Sequence, residues 1–336
     1  MAQGTMSVQL TPRGAQVPTP GKDMQVSAAS VAESLEQIKN LSVREAFDQI
    51  RAVWPLVTIV LSVVIVLALA AGGVLRPSGF RNSGTRDVKP FPAMMWLFAG
   101  VMVILAQQLA MTWAASVPRL VGPPGDDGAM TLRFAAATQA IGGLVAGMVG
   151  IGLFAIMAKT APEGGLKVGG LDPLVGLGCL LLALPLVQLS SMGAEWAYRE
   201  LYGGEPVVVA HTTLRMIVDH RHDPMAWLLI GAVVIGAPLI EELAFRAGLQ
   251  SAALKLTGSP WAAVVGTSAI FTAMHIPAVP AEGRYALVQI FVLSIAMGIA
   301  YERTRRLGVP IVMHIGFNGL MVALALSVAE QPAAAA

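Results

Sequence analysis

The stretch Ala237–Gln250, APLIEELAFRAGLQ, sets two adjacent carboxylates and an arginine inside an otherwise apolar helical pattern. A charge near the middle of a membrane helix costs roughly 2.5–3.5 kcal/mol on insertion scales, so three within six residues need partners or a chemical task. Successive helical residues lie about 100° apart. Glu242 and Arg246, at i and i+4, therefore share a face and pair within the helix, whereas Glu241 points elsewhere. Pro238 cannot donate to the carbonyl one turn back, which predicts a bend just before the acidic pair.

The surroundings of this stretch are those of a membrane protein. Of 336 residues 55% are hydrophobic and 12% charged, against about 25% charged in soluble domains. Eight apolar runs read as membrane helices, most of them of spanning length: Trp54 to Leu75, Phe91 to Val117, Ala135 to Met157, Leu174 to Met192, Ala226 to Ala253, Trp261 to Ile276, Ala286 to Tyr301 and Val309 to Val328. The expected fold is an all-α, polytopic transmembrane helix bundle of about eight helices, multi-pass in the cell membrane. Trp96 and Trp113 read as interfacial anchors of the second span, and Gly142, Gly143, Gly147 and Gly150 as close-packing positions in the third. Residues 1–28 read as a disordered tail and 29–53 as an amphipathic helix. Residues 54–224 then carry four spans and a polar segment, 225–329 a catalytic membrane core, and 330–336 a short tail.

A net charge of +2 gives no reason to expect nucleic acid. The basic segments Arg76 to Lys89 and Arg303 to Arg306 fall on one side of an eight-span chain, which favours that side as cytoplasmic, while a long tail without a signal sequence argues for the reverse. The lone Cys179 reads as packing. His211, His220 and His222 lie in the polar segment Glu195 to Pro224, which reads as a surface segment with an amphipathic helix rather than a metal site.

Two later runs each carry one histidine: Phe271-Thr-Ala-Met-His275 and His314-Ile-Gly-Phe-Asn318. Phe271 with His275, and His314 with Asn318, are again i and i+4, each pair on one helical face. His275 is near the end of its helix and His314 near the start of its own. For the two to meet, the connection between them must return to similar depth or the helices must tilt.

EExxxR, FxxxH and HxxxN, in this order from Trp227 to Leu320, resemble the three motifs of the CAAX protease and bacteriocin-processing (CPBP, Abi) family of intramembrane proteases and are similar to type II CAAX prenyl endopeptidases. Where the family has FRG this chain has Phe245-Arg246-Ala247, so helix packing differs there. The resemblance implies that Glu241 and His275 activate water and that His314 and Asn318 stabilise the oxyanion.

The residues read alone give compatible chemistry. A desolvated Glu241 serves as general base and then proton donor, and His275 holds the same water. His314 and Asn318 present N–H groups one turn apart. Glu242, Arg246 and Phe271 support them. No cofactor is favoured, but a divalent metal such as zinc on Glu241, His275 and His314 stays open. Gly266-Thr-Ser268-Ala269 lacks the last glycine of a serine intramembrane motif. The expected partners are a membrane-associated peptide or protein substrate and the lipid bilayer. A non-proteolytic membrane scaffold, immunity or regulatory protein of the same family is the alternative.

Overall fold

The computed structural model describes residues 43–76, 78–80, 86–122, 130–207 and 210–329. The tails expected at 1–28 and 330–336 lie outside these, and the helix expected at 29–53 is described only from Val43. The chain divides into two units, Met1–Trp54 and Pro55–Ala336, and the candidate site lies wholly in the second.

Among the described residues eight helices are long and apolar enough to cross a membrane. They are α1 Val43–Ala71, α2 Ala93–Ala115, α3 Leu132–Thr160, α4 Asp172–Tyr202, α5 Pro224–Thr257 (a compound helix), α6 Pro260–Met274, α7 Ala286–Thr304 and α8 Gly308–Ala329. Among the described residues there is no β-strand, only isolated bridges from Arg306 to Leu166 and Lys167. The chain is a multi-pass membrane protein with an all-α bundle. In hydrocarbon a helix satisfies its own backbone, which is why these apolar runs take this form.

Helix boundaries follow local chemistry. Asp223 caps α5 by accepting from Met225 N (2.8 Å), Ser259 caps α6 by accepting from Ala262 N (3.3 Å), and each is followed by proline at the first helical position. Gly203 and Gly258, both left-handed, end α4 and α5. The helix α4 runs to Tyr202, well into the segment read as polar, and a short helix Thr212–Asp219 follows it. That short helix is amphipathic, as expected. Its Ile217 is buried with Leu132, Leu229 and Val322, while Asp219 and His220 face out.

The main core gathers Val103, Phe154, Leu243, Phe245, Phe271 and Tyr301 from α2, α3, α5, α6 and α7, and a second cluster joins α4, α7 and α8 through Leu180, Val187, Leu293 and Met313. Leu109, Leu144, Leu174 and Leu182 point outward, as bilayer-facing positions should. Trp96 is a correction to the sequence reading. It is fully buried, stacks edge-on with Phe91 and donates from its indole to Val88 O at 3.2 Å, so it is a core residue and only Trp113 has the exposure of an anchor.

Close packing of α5 is seen at Gly248, the residue after Ala247. A Cβ on Gly248 would lie 2.6 Å from Gly100 Cα, and one on Gly100 2.6 Å from Ala244 O, so α2 and α5 cross backbone to backbone.

The basic segments meet at one end. Trp261 Nε1 donates to Arg76 O (3.1 Å), and the Arg303 guanidinium lies 4.8 Å from the Phe80 ring centroid. At the same end the α3–α4 and α7–α8 connections join: Leu307 N donates to Lys167 O (2.9 Å) and Arg306 pairs with the buried Asp172. Leu307 and Val309 are buried, so α8 begins inside the bundle rather than at its rim. This brings His314, two turns into α8, to the depth of the acidic pair.

Candidate active site

The helix α5 is not a uniform helix. Two π-helical segments, Ala232–Gly236 and Glu242–Gln250, flank an α-helical turn Ala237–Glu241. Such segments carry an extra residue per turn and occur often at functional sites. The bend expected from Pro238 takes this form. Ala237 N–H donates to Ala232 O in the π pattern, and the corresponding donor for Val233 O would be residue 238, a proline without an N–H.

Glu241 sits at the seam where the second π segment begins, and the two carboxylates part there. Glu242 and Arg246 are fully buried, with Arg246 Nε 3.0 Å from Glu242 Oε2 in an ion pair whose N–H is not aligned as a hydrogen bond. Arg246 Nη2 donates to Ser294 Oγ on α7 (2.9 Å). The other oxygen of Glu242 accepts from His314 Nδ1 at 3.0 Å. Glu242 thus bridges an arginine on its own helix and an imidazole on α8, a second partner that the sequence reading did not assign.

Glu241 turns the other way, with its side chain 27% exposed. Its Oε2 is nevertheless buried and receives no hydrogen bond within the protein. Two imidazole nitrogens face that oxygen, His275 Nε2 at 3.9 Å and His314 Nε2 at 3.7 Å. His275 Nδ1 is 2.8 Å from the Phe271 carbonyl. A carbonyl only accepts, so Nδ1 carries the proton, and in the neutral ring Nε2 is a bare lone pair. Two acceptors therefore confront each other across a gap that an O–H donor fits.

Phe271 organises these rings. Its centroid lies 4.6 Å from His275 and 5.8 Å from His314, edge-on to Phe245 at 5.1 Å, with the Arg246 guanidinium 5.4 Å away. The fourth motif residue is tied down differently. Asn318 Nδ2 donates to Val233 O at 2.8 Å, the carbonyl whose π-pattern donor Pro238 removes. One N–H of its amide is engaged there and one is left. The structure thus brings Glu241, Glu242, Arg246, Phe271, His275 and His314 into one cluster, with Asn318 one turn beyond His314 on α8.

A third histidine lies nearby. His211 caps the short helix by accepting from Thr213 N–H at Nδ1 (3.2 Å). Its neighbour Thr212 donates to Ala278 O (3.2 Å), on the turn after His275. Burial, and then the proximity of His275, lower the His211 pKa from its ordinary value to about 4. The sequence grouped His211 with His220 and His222. The structure separates them, since His220 folds back on Met216 O (3.0 Å) in the exposed part of the short helix. Long-range contacts, such as that from Thr212 to Ala278 across 66 residues, distinguish His211, and no local pattern carries them.

Residues 223–320 match the model of a family described as type II CAAX prenyl endopeptidase Rce1-like. Over these residues the chain is Rce1-like. The matched limits agree with the stretch from Trp227 to Leu320 that carries the three motifs, and the family is one of peptidases. No curated protein and no solved structure matches the chain. Within the Rce1-like domain and the rest of the described residues, no three His, Cys, Asp or Glu side chains are disposed to hold a metal ion. Of Glu241, His275 and His314, the last has Nδ1 held by Glu242 and Nε2 facing Glu241, so Nε2 is the nitrogen that could ligate.

Proposed function

We propose that the Rce1-like domain is an intramembrane endopeptidase that hydrolyses a peptide bond of a membrane-associated peptide or protein, with Glu241 as general base. The reading rests on one observation above the others: Glu241 Oε2 is buried, without a donor, and faced by two imidazole nitrogens at 3.9 and 3.7 Å. A buried acceptor left unsatisfied calls for a reason, and an oxygen about 2.8 Å from each partner fits this gap with its O–H bonds on Glu241 and His275.

In this mechanism a water donates to Glu241 Oε2 and to the Nε2 lone pair of His275. Glu241 takes a proton as the water oxygen bonds to the scissile carbonyl carbon, and the carbonyl oxygen becomes an oxyanion. Donors to that oxyanion are His314 Nε2–H and the remaining Asn318 N–H. His314 donates from Nε2 only as imidazolium, because Nδ1–H is held by Glu242. The Glu242 carboxylate beside it is the counter-charge. Glu241 then returns its proton to the amide nitrogen as the C–N bond breaks.

The test uses purified protein in detergent with a peptide ending in a prenylated cysteine motif, and the unprenylated peptide as control. Wild-type protein is expected to cleave, and Glu241→Gln, which keeps size but takes no proton at neutral pH, to lose turnover with folding intact. Cleavage is expected to survive a strong chelator. Cleavage that is abolished by chelator and restored by zinc would replace this reading with a metallopeptidase on Glu241, His275 and His314. A Glu241→Gln protein with wild-type cellular function would replace it with a scaffold.

A further inference from the structure

A second buried charge pair joins Arg86, outside the matched residues 223–320, to Glu302 within them, and has no part in the chemistry above. Arg86, between α1 and α2, is buried to the same degree as Glu302 near the end of α7. Its Nε and Nη2 donate to the two carboxylate oxygens of Glu302 (3.2 and 2.7 Å), a bidentate pair. Its Nη1 donates to Gly164 O (2.9 Å) and to Ser251 Oγ (2.7 Å), and the guanidinium lies 4.0 Å from the centroid of the Tyr301 ring. The cradle is built around this side chain: Gly165 has φ +92°, and a Cβ there would lie 2.4 Å from Arg86 Cδ.

Glu302 Oε1 accepts a second bond, from Gln250 Nε2 at 2.8 Å, and Gln250 also donates to Gly298 O (3.2 Å). Gln250 is the last residue of the π-helical segment that begins at Glu242. Glu242, Arg246 and Gln250 form one fully buried stripe along that segment, joined to α7 at Ser294, Gly298 and Glu302. A π segment is rare and occurs mostly as a single-turn bulge inside an α-helix. Were it to relax by losing its extra residue, the part of α5 before it would turn by about 100° relative to the part after it. That rotation would carry Glu242 off His314.

We infer that Arg86 is a positioning residue for the Glu242–His314 contact, holding Glu302, Gln250 and Ser251 so that the π register of α5 is fixed. The loop between the first two spans is thereby part of the apparatus that orients the candidate imidazolium. The inference rests on the proposed peptidase mechanism only for its kinetic consequence.

The test is the pair Arg86→Gln with Glu302→Gln, which keeps volume and leaves no buried charge unpaired. The protein has five histidines, so a ¹⁵N-histidine spectrum in lipid nanodiscs is simple, and the His314 Nδ1 proton, bonded to a carboxylate, is identified by its loss in His314→Gln. The double variant is expected to shift or lose that signal while remaining folded. Turnover should fall about 10–100-fold with KM within about twofold of wild type. An unchanged His314 signal in folded protein would overturn the inference, as would a wild-type kcat. If the double variant does not fold, Arg86→Lys carries the test, with a smaller displacement of the same signal and a several-fold loss of kcat expected, and no displacement counting against it. Should wild-type protein cleave no peptide, the peptidase reading fails, and the His314 signal still decides the role of Arg86.

Discussion

Asn318 on α8 donates to the carbonyl oxygen of Val233 on α5 at 2.8 Å, and that carbonyl lacks its π-pattern backbone donor because residue 238 is proline. A residue marked in sequence as an oxyanion donor therefore also completes the backbone of the helix that bears the glutamates.

Asn318→Ala is expected to do two separable kinds of damage. Leaving the part-buried Val233 carbonyl unpaired costs at most about 1–3 kcal/mol, and removing an oxyanion donor lowers turnover roughly 10²–10³-fold. Adding Pro238→Ala supplies an N–H at residue 238, so the double variant should regain thermal stability without regaining turnover. Turnover restored along with stability would show that Asn318 acts only through Val233.

Arg246→Ala leaves Glu242 fully buried with His314 as its remaining side-chain partner. A loss on the order of 3–5 kcal/mol is expected, seen as a lower melting temperature or a loss of folded protein in detergent. A fully stable and active variant would show that the pair contributes nothing measurable.

The His211 pKa of about 4 carries a definite sign. Folded His211 stays neutral while the unfolded residue binds a proton below its ordinary value of 6.5, so the unfolded state holds more protons between the two. Stability should be constant above about pH 6.5 and fall as pH drops toward 4, by at most roughly 3 kcal/mol. His211→Asn keeps an acceptor for Thr213 N–H and removes the titration. Between pH 7 and 5 the wild-type melting temperature should fall more steeply than that of the variant, and parallel curves would refute the assignment.

Gly248→Ala places a methyl group 2.6 Å from Gly100 Cα, where neither backbone can yield cheaply, and is expected to cost about 1–3 kcal/mol. Gly231→Ala on the same helix meets nothing within 4 Å and serves as the control, neutral or slightly stabilising in the same thermal assay.

Hydropathy and spacing determine a good deal of this protein. Apolar runs dictate the eight helices found among the described residues, and these begin and end within a few residues of the runs, except α1, which starts at Val43, and α4, which continues to Tyr202. The i, i+4 spacings of Glu242 with Arg246, Phe271 with His275 and His314 with Asn318 put each pair on one face, because helical periodicity is a property of the local chain. What the tertiary structure alone decided depends on residues far apart in sequence. Helix α8 starts inside the bundle, which settles the depth at which His275 and His314 reach Glu241. Pro238 and Asn318 complete a π-helical α5, and Glu242 gains His314 as a second partner. Trp96 turns inward to Val88, and Arg86 closes on Glu302 across 216 positions. A window along the sequence measures how much a residue costs in hydrocarbon. It cannot say which distant group offsets that cost, because the partner is chosen by packing.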